Sequence, residues 1–195
     1  PYPSGKYDIQ PLAKYAVERG LTECGADVPV HFVTHSMGGI LLRSYLQDHT
    51  IENMGRAVML APPNHGSELV DKFRNIDAFE SLNGKASLDL GTGTDNLPQQ
   101  LKPVSAEIGV IAGNYSYNPV FSTILPGPDD GMVTVESTKL AEMQDHIVLP
   151  VTHTFLMNNP LVIAQVISFL NTGSFDHSMT MAEMVAQIWD QPATD

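Results

Sequence analysis

The chain has 195 residues and a mass of 21.2 kDa, the size of one globular domain, and its 43% hydrophobic fraction excludes a largely disordered protein. Ten Lys and Arg against 22 Asp and Glu give a formal net charge of -12, which excludes nucleic acid and anionic membranes as favoured partners because phosphate binding needs clustered cations. No apolar run approaches the roughly 20 residues of a membrane span, so we expect a soluble chain without stable membrane insertion.

The first part of the chain predicts a helix, a strand and a second helix. Asp8 is expected to cap a helix whose apolar residues recur at helical spacing, and Gly20 is expected to end it. Residues 28–34 are rich in β-branched and aromatic side chains, which is typical of a strand. Gly38 and Gly39 open a second helix directly afterwards. A tight turn therefore lies between the strand and this helix.

Strands and helices continue to alternate as far as residue 173. The pattern predicts three further strands, at residues 56–61, 107–112 and 147–151. It also predicts a short helix around residues 69–73. The last helix has Asn159 as its cap, Pro160 in its first position and Gly173 at its end. Strands that alternate with helices favour the α/β class, with a mostly parallel sheet covered by helices on both faces.

The periodicity is lost between residues 73 and 103, where Asn, Gly, Ser and Thr dominate. A stretch of this length without regular structure inside a compact domain is usually functional, so we expect a lid or a binding loop here. Gly91-Thr92-Gly93 is not a dinucleotide fingerprint, because it lacks a third glycine and a preceding strand. The stretch therefore indicates no nucleotide cofactor.

Residues 174–195 form an extension beyond the last predicted helix. Thr180-Met181-Ala182-Glu183 is a capping box, and apolar residues recur at helical spacing as far as Trp189. This stripe favours an amphipathic helix packed on the body of the domain. The alternative is a helix that binds a partner or a second copy of the chain.

Ser36 lies at the junction between the predicted strand at 28–34 and the helix that follows. A serine on a sharp turn of this kind projects its hydroxyl above the edge of the sheet. Gly38 is the small residue that the turn needs two positions later, whereas Thr34 stands where glycine is usual two positions earlier. The alternative reading is that Ser36 only caps the following helix.

Later residues match what a nucleophilic serine needs. The hydroxyl requires a base, the base requires a third group to orient it, and on this kind of sheet the chain order is serine, acid, histidine. Asp129 and Asp130 follow the predicted strand at 107–112, and His153 follows the last strand. Both positions are carboxyl ends of strands, where α/β sheets bind ligands.

Four separated segments resemble the serine lipase and esterase branch of the α/β-hydrolase superfamily, namely residues 34–39, 61–67, 126–133 and 153–155. The resemblance covers roughly residues 1–173. It implies Ser36 as the nucleophile, His153 as the general base and acid, and Asp130 as the triad acid, with Asp129 as the alternative.

The resemblance also implies how substrate would be held. The N–H of Met37 would stabilise the oxyanion. His35 would line the pocket or serve in packing, and His65 would line the pocket. Phe155 and Leu156 would suit an acyl chain, although burial in the core explains these two apolar residues equally well. Residues 73–103 would be a lid or an acyl-pocket insertion in the catalytic core at 1–173. Neither a cofactor nor a metal is implied.

The second oxyanion donor of this superfamily normally follows an earlier strand, in a His-Gly type motif. No such motif precedes Asp8, and Tyr2-Pro3-Ser4-Gly5 looks like the segment that comes after it. The resemblance therefore implies an amino-terminally truncated fold, with an exposed sheet edge that favours self-association and with lower activity than a longer chain. Because no signal peptide is visible, we expect a cytoplasmic rather than a secreted protein.

The expected function is hydrolysis of carboxylic esters, of small molecules or of lipids, through an acyl-enzyme. Three other enzyme activities use the same triad and remain alternatives, namely those of thioesterases, amidases and acyltransferases. A non-catalytic domain that resembles a hydrolase and acts by binding is the alternative from another class.

Overall fold

The computed structural model of this protein describes residues 9–24, 28–76 and 84–184. At its centre is a sheet of four parallel strands arranged in chain order, namely β1 (Val30–His35), β2 (Met54–Leu60), β3 (Ile108–Gly113) and β4 (Asp145–Leu149). The expected parallel sheet is confirmed, and each strand lies within two residues of its predicted bounds.

Helices connect the strands and cover the sheet. The α-helices include α1 (Ile9–Cys24), α2 (Met37–Asp48), α3 (Glu68–Phe73), α4 (Leu97–Gln100), α5 (Pro119–Ser122) and α6 (Pro160–Thr172). Short 3-10 helices span Lys85–Asp89, Glu136–Thr138 and His153–Asn158. Within these described segments, no helix is both long enough and apolar enough to cross a membrane.

The two faces of the sheet bury different helices, because side chains along a strand point alternately to opposite sides. On β2, Ala57 and Met59 pack with α1 and α2, whereas Val58 and Leu60 pack with α6. All four side chains are buried. Helices therefore cover both faces, as the alternation of strands and helices predicts.

The prediction that α1 ends at Gly20 is wrong, because the helix continues to Cys24. Glycine ends a helix where the backbone turns left-handed, and Gly20 does not have a positive φ. An ion pair between Arg19 and Glu23 spans this position at 3.2 Å. The predicted cap, Asp8, lies outside the described residues.

The predicted ends of α6 are confirmed. Asn159 Oδ1 accepts hydrogen bonds from the N–H groups of Leu161 and Val162 at 2.9 and 3.2 Å. Gly173 has a φ of 83° and donates its N–H to Phe169 O, which closes the last turn of the helix.

β1 lies at an edge of the sheet. It pairs with β2 on one side, and on its other side no strand from the described ranges pairs with it. Val33 on β1 is 52% exposed. Self-association through this edge stays a prediction.

The first part of the carboxy-terminal extension packs on the body of the domain. Phe175 is buried, and its N–H donates to Asp145 Oδ2 at 2.7 Å. The predicted capping box is present, because the N–H of Thr180 donates to Glu183 Oε2 and the N–H of Glu183 donates to Thr180 Oγ1. The rest of the predicted helix, including Trp189, lies outside the described residues.

Candidate active site

Ser36 occupies a single-residue turn between β1 and α2. Its φ of 52° and ψ of -124° are rare for a residue other than glycine and cost about 1–3 kcal/mol. The N–H of Ser36 donates to Leu60 O at 2.8 Å, and its side chain makes no capping hydrogen bond to α2. Helix capping therefore does not explain this strained residue. The turn instead projects Ser36 Oγ from the carboxyl edge of the sheet.

Residues on either side of Ser36 differ in how much space they have. A Cβ at Gly39 would lie 2.9 Å from Pro62 Cβ, so a side chain there would push α2 away from the loop after β2. Thr34 lines grooves of ≈ 420 and ≈ 340 Å³ beside the outer edge of β1, but its Oγ1 is buried and has no hydrogen-bond partner among the described residues. The threonine that stands where this motif usually has glycine therefore carries an unpaired hydroxyl.

The candidate acid, Asp130, lies on the loop after β3. Asp130 Oδ2 is 2.7 Å from His153 Nδ1, and Asp130 Oδ1 accepts hydrogen bonds from the N–H groups of Met132 and Val133 at 3.0 and 2.8 Å. Only 2% of Asp130 is exposed. A Cβ at Gly113 would lie 2.8 Å from Asp130 Cβ, so glycine at the end of β3 allows this close approach.

Asp129 has a different role from Asp130. Its Oδ1 accepts hydrogen bonds from the N–H of Gly131 at 2.8 Å and from Ser122 Oγ at 3.1 Å. Gly131 has a φ of 97°, so the chain reverses directly after the two carboxylates. Asp129 thus stabilises the loop, and of the two candidates the structure brings Asp130 to His153.

His153 connects Asp130 to Ser36. It begins the 3-10 helix that follows β4, and its N–H donates to Asp130 O at 2.9 Å. Its Nε2 lies 3.0 Å from Ser36 Oγ. Because a carboxylate only accepts hydrogen bonds, Nδ1 carries the ring proton and Nε2 presents its lone pair to the serine hydroxyl. The three candidates thus form one hydrogen-bonded chain at the carboxyl edge of the sheet.

The amide of Met37 is the first of α2. The first four N–H groups of a helix have no acceptor within the helix, and they lie at the positive end of its dipole. The Met37 N–H therefore has the position beside Ser36 that an oxyanion donor requires. Its role stays a prediction.

A cavity of ≈ 240 Å³ opens beside Ser36. Its wall is mostly apolar and consists of His35, Ser36, Met37, Pro63, Ser67, Val70, Ser87, Leu90, Met132 and Val133. The two other serines already have acceptors, because Ser67 Oγ donates to Met132 O at 2.7 Å and Ser87 Oγ donates to Gly84 O at 2.6 Å. The wall is therefore suited to an uncharged, apolar group.

His35 lines this cavity and also contacts the base. Its Nε2 lies 3.0 Å from His153 O, and the two ring centroids are 4.7 Å apart. Burial lowers the pKa of His35 below its usual range, and the neighbouring His153 lowers it further. We therefore expect a neutral ring at pH 7. Its Nε2 carries the proton, because a backbone carbonyl can only accept.

Three residues expected at the substrate are not brought to the cavity. His65 is exposed, and its backbone N–H and O bond to Ser137 O and Gln99 Nε2. After His153 the short 3-10 helix directs Leu156 into the core beneath α6, with 0% exposed, and turns Phe155 outward, with 56% exposed. Their expected contacts with substrate are therefore not supported.

Residues that the sequence patterns did not indicate complete the cavity. Ser67 caps α3 and ties it to the acid loop, and Val70 from α3 adds apolar wall. A serine before a helix signals a cap, but its bond to residue 132 depends on tertiary contact. Ser87 and Leu90 fall in the stretch at 73–103, whose role as a lid stays a prediction. Residues 77–83 of that stretch lie outside the described part of the chain.

A buried arginine ties α2 to two loops near the site. Arg43 is 3% exposed and donates to Asn64 O, Asn64 Oδ1 and Leu101 O at 3.1 to 3.3 Å. Burial lowers the pKa of its guanidinium. Asn64 Nδ2 in turn donates to Thr138 O at 2.8 Å. The network therefore holds the loop after β2, which carries Pro63 at the cavity wall.

Among the residues that the structure describes, no group of three or more His, Cys, Asp and Glu side chains is arranged to hold a metal ion.

A parallel sheet with a serine on the turn after one strand, an acid loop after the third and a histidine after the fourth is the α/β-hydrolase fold. Solved structures with this fold superpose on the chain. The mature form of lipase BlEst2 from Bacillus licheniformis matches with a TM-score of 0.66 and 19% identity, over 84% of this chain and 74% of that chain.

Two longer chains give similar results. The propeptide form of the same lipase matches with a TM-score of 0.57 and 24% identity, over 80% of this chain and 40% of that one. Phospholipase PlaB from Legionella pneumophila matches with a TM-score of 0.56 and 23% identity, over 70% of this chain and 35% of that one. This chain therefore spans well under two thirds of either of these longer chains. No family model and no curated protein matches it.

Proposed function

We propose that this protein is a serine hydrolase that cleaves carboxylic esters through an acyl-enzyme. Ser36 is the nucleophile, His153 is the general base and acid, and Asp130 orients His153. The observation that carries the proposal is the continuous hydrogen-bond chain from Asp130 Oδ2 to Ser36 Oγ, with distances of 2.7 and 3.0 Å, at the mouth of an apolar cavity. The lipase BlEst2, which shares the fold, supports an ester as the substrate.

In the first half-reaction, Ser36 Oγ attacks the ester carbonyl carbon while its proton passes to His153 Nε2. The π electrons of the carbonyl move to its oxygen, and the Met37 N–H stabilises the resulting oxyanion. When the tetrahedral intermediate collapses, the bond to the alcohol oxygen breaks. The imidazolium donates its proton to that oxygen, so an alcohol leaves and an acyl group remains on Ser36.

In the second half-reaction, water replaces the alcohol. His153 Nε2 takes a proton from the water as its oxygen attacks the acyl carbon, and then returns that proton to Ser36 Oγ as the carboxylic acid leaves. Asp130 stays ionised throughout. Its negative charge beside Nδ1 stabilises the imidazolium that forms in each half-reaction.

The cavity indicates the substrate class. None of the described side chains in its wall carries a charge at pH 7, so a charged acyl group would lose its hydration without a partner. At ≈ 240 Å³ the cavity lies below the range of drug-sized pockets, about 300–1,000 Å³. If each methylene of an acyl chain occupies about as much volume as one water molecule in the liquid, about 30 Å³, the cavity holds at most about eight of them. We therefore propose an uncharged ester whose acyl chain has about four to eight carbons.

Labelling of Ser36 by a fluorophosphonate tests the nucleophile. We expect stoichiometric modification of the wild type and none of Ser36→Ala, with loss of ester hydrolysis by a factor of at least about 10³. Intact mass and peptide mapping locate the label. Absence of label on wild type, or label that survives Ser36→Ala, would show that Ser36 is not the nucleophile and would favour a binding domain.

A panel of substrates tests the reaction. p-Nitrophenyl esters from acetate to dodecanoate should give kcat/KM values that rise by about fourfold per methylene, at about 0.8 kcal/mol each, and fall once the cavity is filled. Thioesters and anilides of the best acyl group, and an added alcohol as acceptor, complete the panel. Faster turnover of the thioester or anilide, or transfer to the alcohol in preference to water, would replace the proposed reaction.

A further inference from the structure

We propose that His35 is a positioning residue for the base His153, through the hydrogen bond between its ring and the backbone carbonyl of His153. The inference rests on the proposed function and deepens it, because it assigns a role to the side chain next to the nucleophile. It differs from the expectation that His35 is only a wall of the pocket.

The contacts place His35 and His153 in a closed arrangement. His35 Nε2 is 3.0 Å from His153 O, while Ser36 Oγ is 3.0 Å from His153 Nε2. Two adjacent residues at the end of β1 therefore bond to one residue at the start of a 3-10 helix, more than a hundred positions away in the sequence. The tilted rings, with centroids 4.7 Å apart at 46°, pack against each other as well.

The backbone of His153 is held on both sides. Its N–H donates to Asp130 O at 2.9 Å, and its carbonyl accepts from His35. The first bond sets the position of His153 relative to the acid. The bond from His35 sets the position of His153 relative to β1, the strand that leads to Ser36. If this bond is lost, it no longer constrains the distance between Ser36 Oγ and His153 Nε2.

The bond from His35 differs from the Ser36 bond in one respect that matters for turnover. The proton on Ser36 Oγ moves to His153 Nε2 and back in each half-reaction, so that hydrogen bond is interrupted repeatedly. The proton on His35 Nε2 takes no part in the reaction. The bond from His35 therefore persists through the steps in which the bond from Ser36 is absent. It matters for turnover because displacement of a catalytic group by about 1 Å lowers rates by about 10².

The charge state of the His35 imidazole is also compatible with its position beside His153. Its lowered pKa keeps it uncharged beside the imidazolium that forms on His153. His153 and Asp130 are the titratable groups that act on it, and the carboxylate opposes the lowering only weakly. A permanently charged donor at this position would raise the energy of the imidazolium, whereas a neutral donor does not.

Two substitutions separate the donor from the ring. His35→Phe keeps an aromatic ring of similar size but removes the donor. His35→Gln places an amide nitrogen near the position of the imidazole Nε2 and keeps a neutral donor. We expect His35→Phe to lower kcat by about 10-fold to about 100-fold with KM changed by less than about twofold, and His35→Gln to recover most of the loss.

His49 provides the matched control. Its Nδ1 lies 3.1 Å from Tyr45 O, so it makes the same kind of ring-to-carbonyl bond at the far end of α2. His49→Phe and His49→Gln should leave kcat unchanged. Thermal unfolding of all four variants identifies any that fail to fold.

A second readout does not depend on turnover. The proton between His153 Nδ1 and Asp130 should give a far-downfield NMR resonance in wild type and His35→Gln, and a broadened or missing one in His35→Phe. If His35→Phe keeps both the wild-type kcat and the resonance, or if His35→Gln is no better than His35→Phe in either, the positioning role is refuted. If the wild type and the variants show the expected NMR resonances but the wild type neither reacts with the fluorophosphonate nor hydrolyses esters, the proposed function is refuted and the positioning role of His35 is not.

Discussion

Replacement of Asp130 by asparagine tests the role of the acid at constant shape. The Oδ1 of the wild-type carboxylate accepts two backbone N–H bonds, from Met132 and Val133, and an asparagine Oδ1 can keep both. The third bond, from His153 Nδ1 to Oδ2, is lost because the amide presents N–H groups there. His153 then shifts to the tautomer that carries its proton on Nε2, which cannot accept the Ser36 proton.

The expected loss in kcat is about 10⁴, or about 5.4 kcal/mol of transition-state stabilisation. Asp129→Asn is the matched control in the adjacent position. An asparagine Oδ1 at this position can keep the bonds from Gly131 and Ser122 but removes their charge assistance, so Asp129→Asn should lower the unfolding temperature slightly and change kcat by less than about tenfold. The two neighbours therefore separate catalysis from loop stability.

The assay is burst titration with a p-nitrophenyl ester, which counts active sites and gives the acylation rate per site. Circular dichroism and thermal unfolding of both variants verify that they fold. The reasoning fails if folded Asp130→Asn retains kcat within about tenfold of wild type, or if Asp129→Asn loses as much as Asp130→Asn.

Three further predictions concern the cavity, pH and the arginine network. Val70→Ala enlarges the cavity, so the acyl chain with the highest kcat/KM should become about one or two carbons longer. Val17→Ala, on α1, should lower stability without changing the preferred chain length. The same preferred chain length in both variants would contradict this prediction. Burial lowers the pKa of His146 in the folded protein. As pH falls below about 6.5, the unfolded chain takes up a proton that the folded chain does not, so the folded state loses stability. His146→Gln should therefore reduce the fall in unfolding temperature between pH 7 and 5, and a fall as steep as that of the wild type would refute this prediction. Arg43→Leu leaves carbonyls at Asn64 and Leu101 unpaired and should lower the free energy of unfolding by about 3 kcal/mol in urea titrations, whereas a loss below about 1 kcal/mol would contradict the network.

Local patterns were enough to predict the elements that carry the site. The strand before Ser36 and the glycines after it are adjacent in the sequence, so their turn can be recognised without tertiary information. The same holds for α6, whose cap at Asn159 and end at Gly173 depend on neighbouring residues only. Gly20 shows the limit, because a glycine stops a helix only where the following chain turns away, and here it does not.

The contacts between distant segments could not be predicted in this way. Asp129 and Asp130 have nearly the same sequence context, and the reversal at Gly131 decides which of them faces His153. Leu156 and Phe155 both follow the base closely, and the 3-10 helix decides which of them is buried.

The sequence by itself determined the α/β class, the order of serine, acid and histidine, and their places at the carboxyl ends of strands. These features depend on the alternation of strands and helices and on residues within a few positions of one another. The tertiary structure alone decided which carboxylate contacts the base, that His35 bonds to His153, and which side chains line the cavity beside Ser36. The physical reason is that such contacts join segments that are separated by 23 residues (Asp130 and His153) to 118 residues (His35 and His153) in the sequence. Sheet register and core packing set the relative positions of these segments, and local propensity contains neither.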